Sequence, residues 1–240
     1  MKAFTDLIFT ADFFYSILRV TTPLLFASMG AVVSDVAGVP NIALEGMMLI
    51  AAFAGMFFSY LFDSAVAGLL FAVLFAVLAA SVLAFFTLYY KTNIILGGIA
   101  INSLASGGTI FFLYLVAHDK GTSVSLASKV LPSVTIPVIE SIPVIGPAIS
   151  GHNVLTYLAI LSVVFTFFLL KRTSLGWHIR AVGEKKEAAD SVGISVVKTQ
   201  AIALIISGVM CGFGGAFMSM GYVSWFSRDM VSGRGWIALA

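Results

Sequence analysis

A carboxylate and an amide stand four residues apart in an apolar stretch long enough to cross a membrane. Glu45 is the only charged residue of that stretch, and Asn41 precedes it at helical spacing, which predicts that both side chains share one helical face. Gly38 and Pro40 just before them predict a broken or late-starting helix, as where backbone lines a cavity. A carboxylate near the bilayer centre costs about 3 kcal/mol and is tolerated against a partner or beside water. We therefore expect Asn41 and Glu45 to line or gate a solute path. The alternative is that Glu45 stabilises the first turn of its own helix at the cytoplasmic interface.

A second set of polar side chains follows one apolar stretch, residues 92–117. Its members are Asn93, Asn102, Ser103, Ser106 and Thr109. Such groups commonly join helices in lipid through hydrogen bonds, and contact with a solute is the alternative. Asn102 and Ser103 are the candidates for a translocation path.

A third pattern lies in a polar connection. The triplet Glu187-Ala188-Ala189 is followed after three residues by Gly193. A short amphipathic helix is predicted over 184–191, framed by Gly183 and Gly193, and glycine at the second position lets a helix end in the left-handed conformation. A helix held along the membrane surface in this way can dock a soluble partner. The alternative is a solvated charged helix between two spans, since Glu and Ala are good helix formers.

The sequence offers no pattern for an enzyme. It contains no carboxylate pair, no nucleophile with a base and no GxxxxGK[ST] phosphate loop at usable spacing, so the chain is not itself an ATPase and no cofactor is expected. The single Cys211 cannot build a disulfide framework or a thiolate metal site. The balance of 13 Lys and Arg against 11 Asp and Glu argues against a nucleic-acid partner.

The amino-acid composition indicates which solvent surrounds the folded chain. Of 240 residues, 60% are hydrophobic and 10% are charged, with a mean hydropathy of +1.07. A soluble domain carries about 25% charged residues. A chain of this size cannot hide so much apolar surface in its own interior, so the solvent must be membrane lipid. We predict an all-α, polytopic transmembrane bundle that forms a single domain over residues 1–240.

Six spans are predicted from the intervals between charges, because about 20 apolar residues cross the hydrocarbon core. They are 13–34, 42–62, 64–90, 92–117, 153–170 and 199–222. The apolar run that begins at Trp236 is either a short natural terminus or the start of a seventh span cut off by the end of the sequence, and we favour the second.

The loops predict the orientation. Residues 171–198 hold six of the cations, Lys171, Arg172, Arg180, Lys185, Lys186 and Lys198, which assigns that connection to the cytoplasm. Counting spans from there assigns residues 118–152 to the outside. Four prolines prevent a continuous helix in that outer loop, and they are Pro132, Pro137, Pro143 and Pro147.

Several motifs together resemble one family. Residues 38–48, GVPNIALEGMM, are similar to the GxxNxxxEGMM signature of the permeases that serve simple-sugar, branched-chain amino acid and nucleoside ABC importers. The triplet around Glu187 resembles the EAA coupling helix of ABC permeases, without the Leu-Pro that ends its long form. Further matches in the same order are 22–25 (TPLL), 98–102 (GIAIN), 180–184 (RAVGE) and, for the nucleoside-type branch, 142–147 (IPVIGP).

The resemblance implies a function and a set of partners. The chain would be the multi-pass permease subunit of an importer in a bacterial cytoplasmic membrane, paired with a second homologous permease, two cytoplasmic ATPases and an extracytoplasmic binding protein. Members of the family continue with further spans after a Gly-Arg-Gly like residues 233–235. The resemblance assigns coupling to the ATPase to Arg180, Gly183, Glu184, Glu187, Ala188, Ala189 and Gly193.

Several functions stay open. Nucleosides are the expected solute, and simple sugars, riboflavin-like compounds and branched-chain amino acids are the alternatives within the family. An ion-coupled secondary transporter would need inverted repeats and an intramembrane ion site, and Glu45 is the one carboxylate available for proton coupling. A structural or assembly role is the third possibility.

Overall fold

The computed structural model describes residues 11–126, 128–135 and 149–240. Its described helices are α1 Ala11–Val36, α2 Leu44–Leu61, α3 Ala65–Ala84, α4 Ile94–Ala117, α5 Val154–Arg172, α6 Ser174–Glu184, α7 Lys186–Ser191, α8 Val196–Phe217 and α9 Arg234–Leu239. Two of them continue into π-helical turns, α3 into Phe85–Tyr89 and α8 into Met218–Tyr222. The described residues form no strand, only two isolated β-bridges.

Six helices are long and apolar enough to cross a membrane, α1 to α5 and α8. They coincide with the six predicted spans, so the prediction of an all-α, multi-pass membrane protein is confirmed. Polar residues mark where several of these helices begin. The side chains of Asn93 and Asn153 accept hydrogen bonds from the N–H groups of Ile95 and Leu155 at 2.8 and 3.0 Å. Such caps satisfy amides that the helix itself leaves unpaired.

Helix α8 forms the centre of the bundle and packs against α1, α2 and α3. Glycines allow this close approach. A Cβ placed on Gly208 would lie 2.6 Å from the Cβ of Ala80, and one on Gly212 would lie 2.7 Å from the Cα of Val73. Helices α4 and α5 lie at the periphery and expose aromatic and aliphatic side chains outward. An apolar outer surface of this kind suits a lipid solvent.

The turns that follow α2 and α4 lie at the same end of the bundle. Lys129 forms an ion pair with Asp63 at 3.0 Å, so the loop after α4 lies at the same end as the α2–α3 turn. The same loop hydrogen bonds to the segment after α8, where the N–H of Ser123 donates to the carbonyl of Phe226 at 2.9 Å. Pro137, Pro143, Pro147 and the 142–147 motif lie outside the described residues.

The opposite end carries the two short helices α6 and α7. The predicted single helix over 184–191 is wrong in detail, because Lys185 is extended (φ −154°) and divides the segment. Glu184 therefore ends α6, whereas α7 holds the Glu187 triplet. Gly193 has φ +85° and ends α7 as predicted, and the N–H of Ile194 donates to the carbonyl of Ala189 at 3.0 Å.

Candidate functional site at the Glu45 and Asn102 junction

A non-helical link of residues 37–43 joins α1 to α2. Gly38 adopts φ +70°, and the next helix begins only at Leu44, as Gly38 and Pro40 predicted. Asn41 therefore precedes the helix, and the prediction that it shares a helical face with Glu45 is wrong. The link is held by side-chain hydrogen bonds rather than by helical ones.

Asn41 fastens this link to the central helix. It is fully buried, and its Nδ2 donates to the hydroxyl of Ser207 on α8 at 2.9 Å. Its Oδ1 accepts from the N–H of Ala43 at 3.0 Å, which turns the chain into α2. A buried amide with both ends paired fixes local geometry because leaving either end unpaired carries a desolvation penalty. The structure thus places Asn41 behind the cavity described below, not on its surface.

Asn102 of α4 holds the same link from the other side. Its Oδ1 accepts from the N–H of Gly46 at 2.8 Å, and its Nδ2 donates to the carbonyl of Ile42 at 2.9 Å. Gly46 allows this contact, since a Cβ there would lie 2.7 Å from Oδ1 of Asn102. One side chain therefore bridges the last turn of the link and the first turn of α2.

Glu45 holds the start of α9. Its two carboxylate oxygens accept hydrogen bonds from the N–H groups of Gly233 and Gly235, both at 2.7 Å. Gly233 adopts φ +82°, and Gly235 is buried so closely that its Cβ would lie 2.6 Å from the Cα of Glu45. Glu45 therefore stabilises a helix start 190 residues later in the chain, rather than only its own first turn.

A cavity of about 390 Å³ with both polar and apolar lining lies between α2, α4, the segment before α9 and the first turn of α9. Glu45, Asn102 and Ser103 line it, so the structure brings together three of the four predicted pathway residues. The lining that the sequence reasoning did not assign comprises Ser106, Asp229, Ser232 and Trp236. The hydroxyl of Ser106 donates to Oδ1 of Asp229 at 2.9 Å, and Nε of Arg228 lies 3.4 Å from Oδ2 of the same carboxylate.

The lining of the cavity combines hydrogen-bonding groups with an aromatic ring. Carboxylates accept hydrogen bonds from solute hydroxyls, and serine hydroxyls both donate and accept. Trp236 is 45% exposed and offers an aromatic face for a flat ring. A sequence signal existed for Ser106, which belongs to the polar set on α4. None existed for Asp229 and Trp236, which lie more than 100 residues further along the chain.

The helices α6 and α7 form a surface at the opposite end from the Asp63–Lys129 pair. Glu184, Glu187 and Ala188 are exposed, whereas Ala189 is buried beneath them. The guanidinium of Arg180 lies 4.4 Å from the ring centroid of Trp177, which is itself 61% exposed. These residues form an exposed patch that combines charged side chains with one large aromatic side chain.

This surface touches the link directly. Gly183 of α6 packs against the carbonyl of Val36, and a Cβ there would overlap that oxygen. Gly38 is also close, since its Cβ would lie 3.4 Å from the Cα of Gly183. Nε2 of Gln200 on α8 donates to the carbonyl of Ala37 at 3.0 Å. A displacement of α6 would therefore act on the residues that lead to Asn41 and Glu45.

A comparison with known proteins places this geometry in context. The family model described as branched-chain amino acid transport system / permease component matches residues 13–240. The chain is 32% identical over 236 residues to a putative glucose ABC transporter permease protein of Haloferax volcanii, covering 97% of this chain and 70% of that relative. No solved structure matches.

Two further relatives are named for nucleosides. The guanosine ABC transporter permease protein NupQ of Bacillus subtilis is 33% identical over 233 residues, covering 91% of this chain and 70% of that relative. The nucleoside ABC transporter permease protein NupC of Lactococcus lactis is 31% identical over 232 residues, covering 94% and 72%. The similarity thus extends over nearly all of the chain.

Proposed function

Because the chain belongs to the family of ABC permease components described as branched-chain amino acid transport system permeases, we propose that it forms half of the membrane path of an importer for nucleosides. The observation that carries this proposal is the cavity between Glu45, Asn102 and Trp236, together with relatives that are named for guanosine and for nucleosides. A nucleoside presents ribose hydroxyls to the carboxylates and serines, and a flat base to the indole ring.

Glucose is the second candidate solute. A relative of comparable similarity is named as a putative glucose permease. Hydroxyl recognition is common to both solutes, so the carboxylates and serines of the cavity do not separate them. The indole face of Trp236 favours the nucleoside, since the flat base of a nucleoside can stack on its exposed part.

We propose that a cytoplasmic ATPase grips the patch formed by α6 and α7. Glu187 and Ala188 are exposed on α7, and α6 meets the link at Gly183. ATP-driven movement of the ATPase pair would shift α6 against Val36 and change the contacts of the link in the inward and outward states. A nucleotide cycle biases a two-state element only through contacts that differ between those states, and in this proposal the contacts of the link are the ones that differ.

The second permease of the complex is proposed to be a different chain. Bacillus subtilis has two guanosine permease proteins similar to this chain, and Lactococcus lactis has two nucleoside permease proteins that are also similar. Pairs of related permeases named for one solute support a heterodimer. An extracytoplasmic binding protein would deliver the solute to its outer face.

Uptake by the reconstituted complex tests this function. The permease pair, ATPase and binding protein are placed in proteoliposomes, and labelled guanosine and labelled glucose are offered with internal ATP or with a proton gradient alone. Guanosine uptake that requires ATP supports the proposal. Uptake of glucose but not of guanosine would identify a sugar importer. Uptake driven by the proton gradient without ATP overturns the ABC mechanism.

A further inference from the structure

Arg19 lies in the third turn of α1 and has only neutral partners among the described residues. Its guanidinium lies 4.2 Å from the ring centroid of Tyr222 and donates to the backbone carbonyl of the same residue. The side chain is half-buried. A guanidinium carries five N–H donors, and the described residues accept from one of its nitrogens, so Arg19 has donors left for an anion.

A polar pocket of about 290 Å³ surrounds this guanidinium at the end of the bundle that carries the loop after α4. Tyr15, Ser133, Asn153 and Thr156 contribute hydroxyl and amide groups, and none of the described lining residues is acidic. The ring of Tyr15 stacks on His152 at a centroid distance of 3.9 Å, which forms one wall. Among the described residues, the lining therefore offers the guanidinium of Arg19 together with several hydroxyl and amide groups.

An apolar groove of about 520 Å³ follows the pocket along the same three helices. Helix α1 contributes Phe26, two turns below Arg19. Helix α5 contributes Leu158 and Leu161, immediately below Thr156. Helix α8 contributes Phe213, one turn below Phe217, whose side chain lines the pocket above. Two helical turns correspond to about 11 Å along the helix axis, so the groove lies deeper in the bundle than Arg19.

We propose that this cleft between α1, α5 and α8 binds an anionic phospholipid, with its phosphate on Arg19 and one acyl chain in the groove. Charge-assisted hydrogen bonds to an arginine are the common mode of phosphate recognition. The absence of a carboxylate from the described lining disfavours zwitterionic headgroups, because their ammonium group finds no partner there. The surrounding bilayer supplies the ligand from the leaflet on the side of the loop after α4.

Native mass spectrometry of the purified complex tests the site without any substitution. We expect a bound phosphatidylglycerol to resist removal at activation energies that strip phosphatidylcholine with the same acyl chains. Dihexanoyl phosphatidylglycerol, whose short chains leave the groove empty, is expected to bind more weakly. Equal retention of phosphatidylglycerol and phosphatidylcholine overturns the headgroup assignment. Equal binding of inorganic phosphate and the full lipid identifies a free-phosphate site instead and overturns the proposal.

Variants separate the two parts of the site. Arg19→Gln is expected to weaken phosphatidylglycerol binding about tenfold or more, the scale of one lost charged hydrogen bond. Arg172→Gln, an exposed cation at the other end of α5, is the matched control and is expected to bind normally. Leu161→Trp fills the groove and is expected to weaken the full lipid but not the short-chain form.

Two results contradict the assignment. Unchanged binding by both Arg19→Gln and Leu161→Trp shows that the lipid lies elsewhere. A cysteine at position 161 that cross-links efficiently to the other permease in native membranes shows that a protein, rather than an acyl chain, fills the groove.

Discussion

Gly183 lies directly against the backbone carbonyl of Val36, so helix α6 and the end of the first span meet without an intervening side chain. Two residues further along, Gly38 turns the chain with φ +70° into the link that Asn41 and Asn102 hold. This contact is the shortest connection between the surface proposed to bind the ATPase and the carboxylate of Glu45.

Gly183→Ala is expected to uncouple ATP hydrolysis from transport. The added methyl group overlaps the carbonyl of Val36, so α6 must move away from the link. We expect solute uptake per ATP hydrolysed to fall several-fold while the subunit still assembles with its partners. Gly121→Ala is the matched control, because its Cβ would meet its nearest atom at an ordinary 3.6 Å. Unchanged coupling in Gly183→Ala would show that the contact between Gly183 and Val36 does not transmit movement from α6 to the link.

Glu45→Gln is expected to destabilise the segment around Gly233 and Gly235. The amide that replaces one carboxylate oxygen is a donor and faces a backbone N–H, so one hydrogen bond is lost and two donors oppose each other. The loss is expected to cost about 1–3 kcal/mol. With Trp177→Phe and Trp225→Phe in the background, the fluorescence of Trp236 in the first turn of α9 is expected to shift at lower denaturant concentration. Glu184→Gln, exposed at the end of α6, is the control, and equal stability of both variants would contradict the role of Glu45.

Substitutions of Asn102 and Ser103 are expected to have different effects, one on the stability of the subunit and the other on solute uptake. Asn102→Asp loses the donor to the carbonyl of Ile42 and is expected to destabilise the subunit by about 1–3 kcal/mol. Ser103→Ala lies on the exposed cavity wall and is expected to change stability by less than about 0.5 kcal/mol while raising the KM for uptake. Thermal unfolding in detergent and uptake kinetics measure the two effects. A normal KM in Ser103→Ala would remove that residue from the path.

Glu187→Arg is expected to abolish ATP-dependent uptake without loss of the inserted protein. The side chain is exposed on α7, so reversing its charge affects an interface and not the fold. Co-purification of the ATPase subunit is expected to decrease in parallel. Asp12→Arg, an exposed reversal at the opposite end of the bundle, is the control. Full activity in the first variant would exclude α7 as a docking element.

The six spans were predictable because lipid imposes both length and composition on each helix. Local signals also predicted the late start of α2, from Gly38 and Pro40, and the turn at Gly193. The break at Lys185 was not predictable, since neither a glycine nor a proline stands at that position and the neighbouring residues are good helix formers. The partners of Glu45 and Ser106 were hidden as well, because hydrogen bonds that span more than 100 residues depend on how the helices pack.

Accessibility of a single cysteine at Lys185 tests the central claim, that the α6–α7 surface faces the cytosol and is held by an ATPase. Native Cys211 is fully buried and contributes little background. A membrane-impermeant maleimide is applied to Lys185→Cys in intact cells and in inside-out vesicles, with and without the ATPase subunits. We predict labelling only in the inside-out vesicles, and protection when the ATPase is bound. Labelling from outside intact cells would invert the topology and contradict the mechanism.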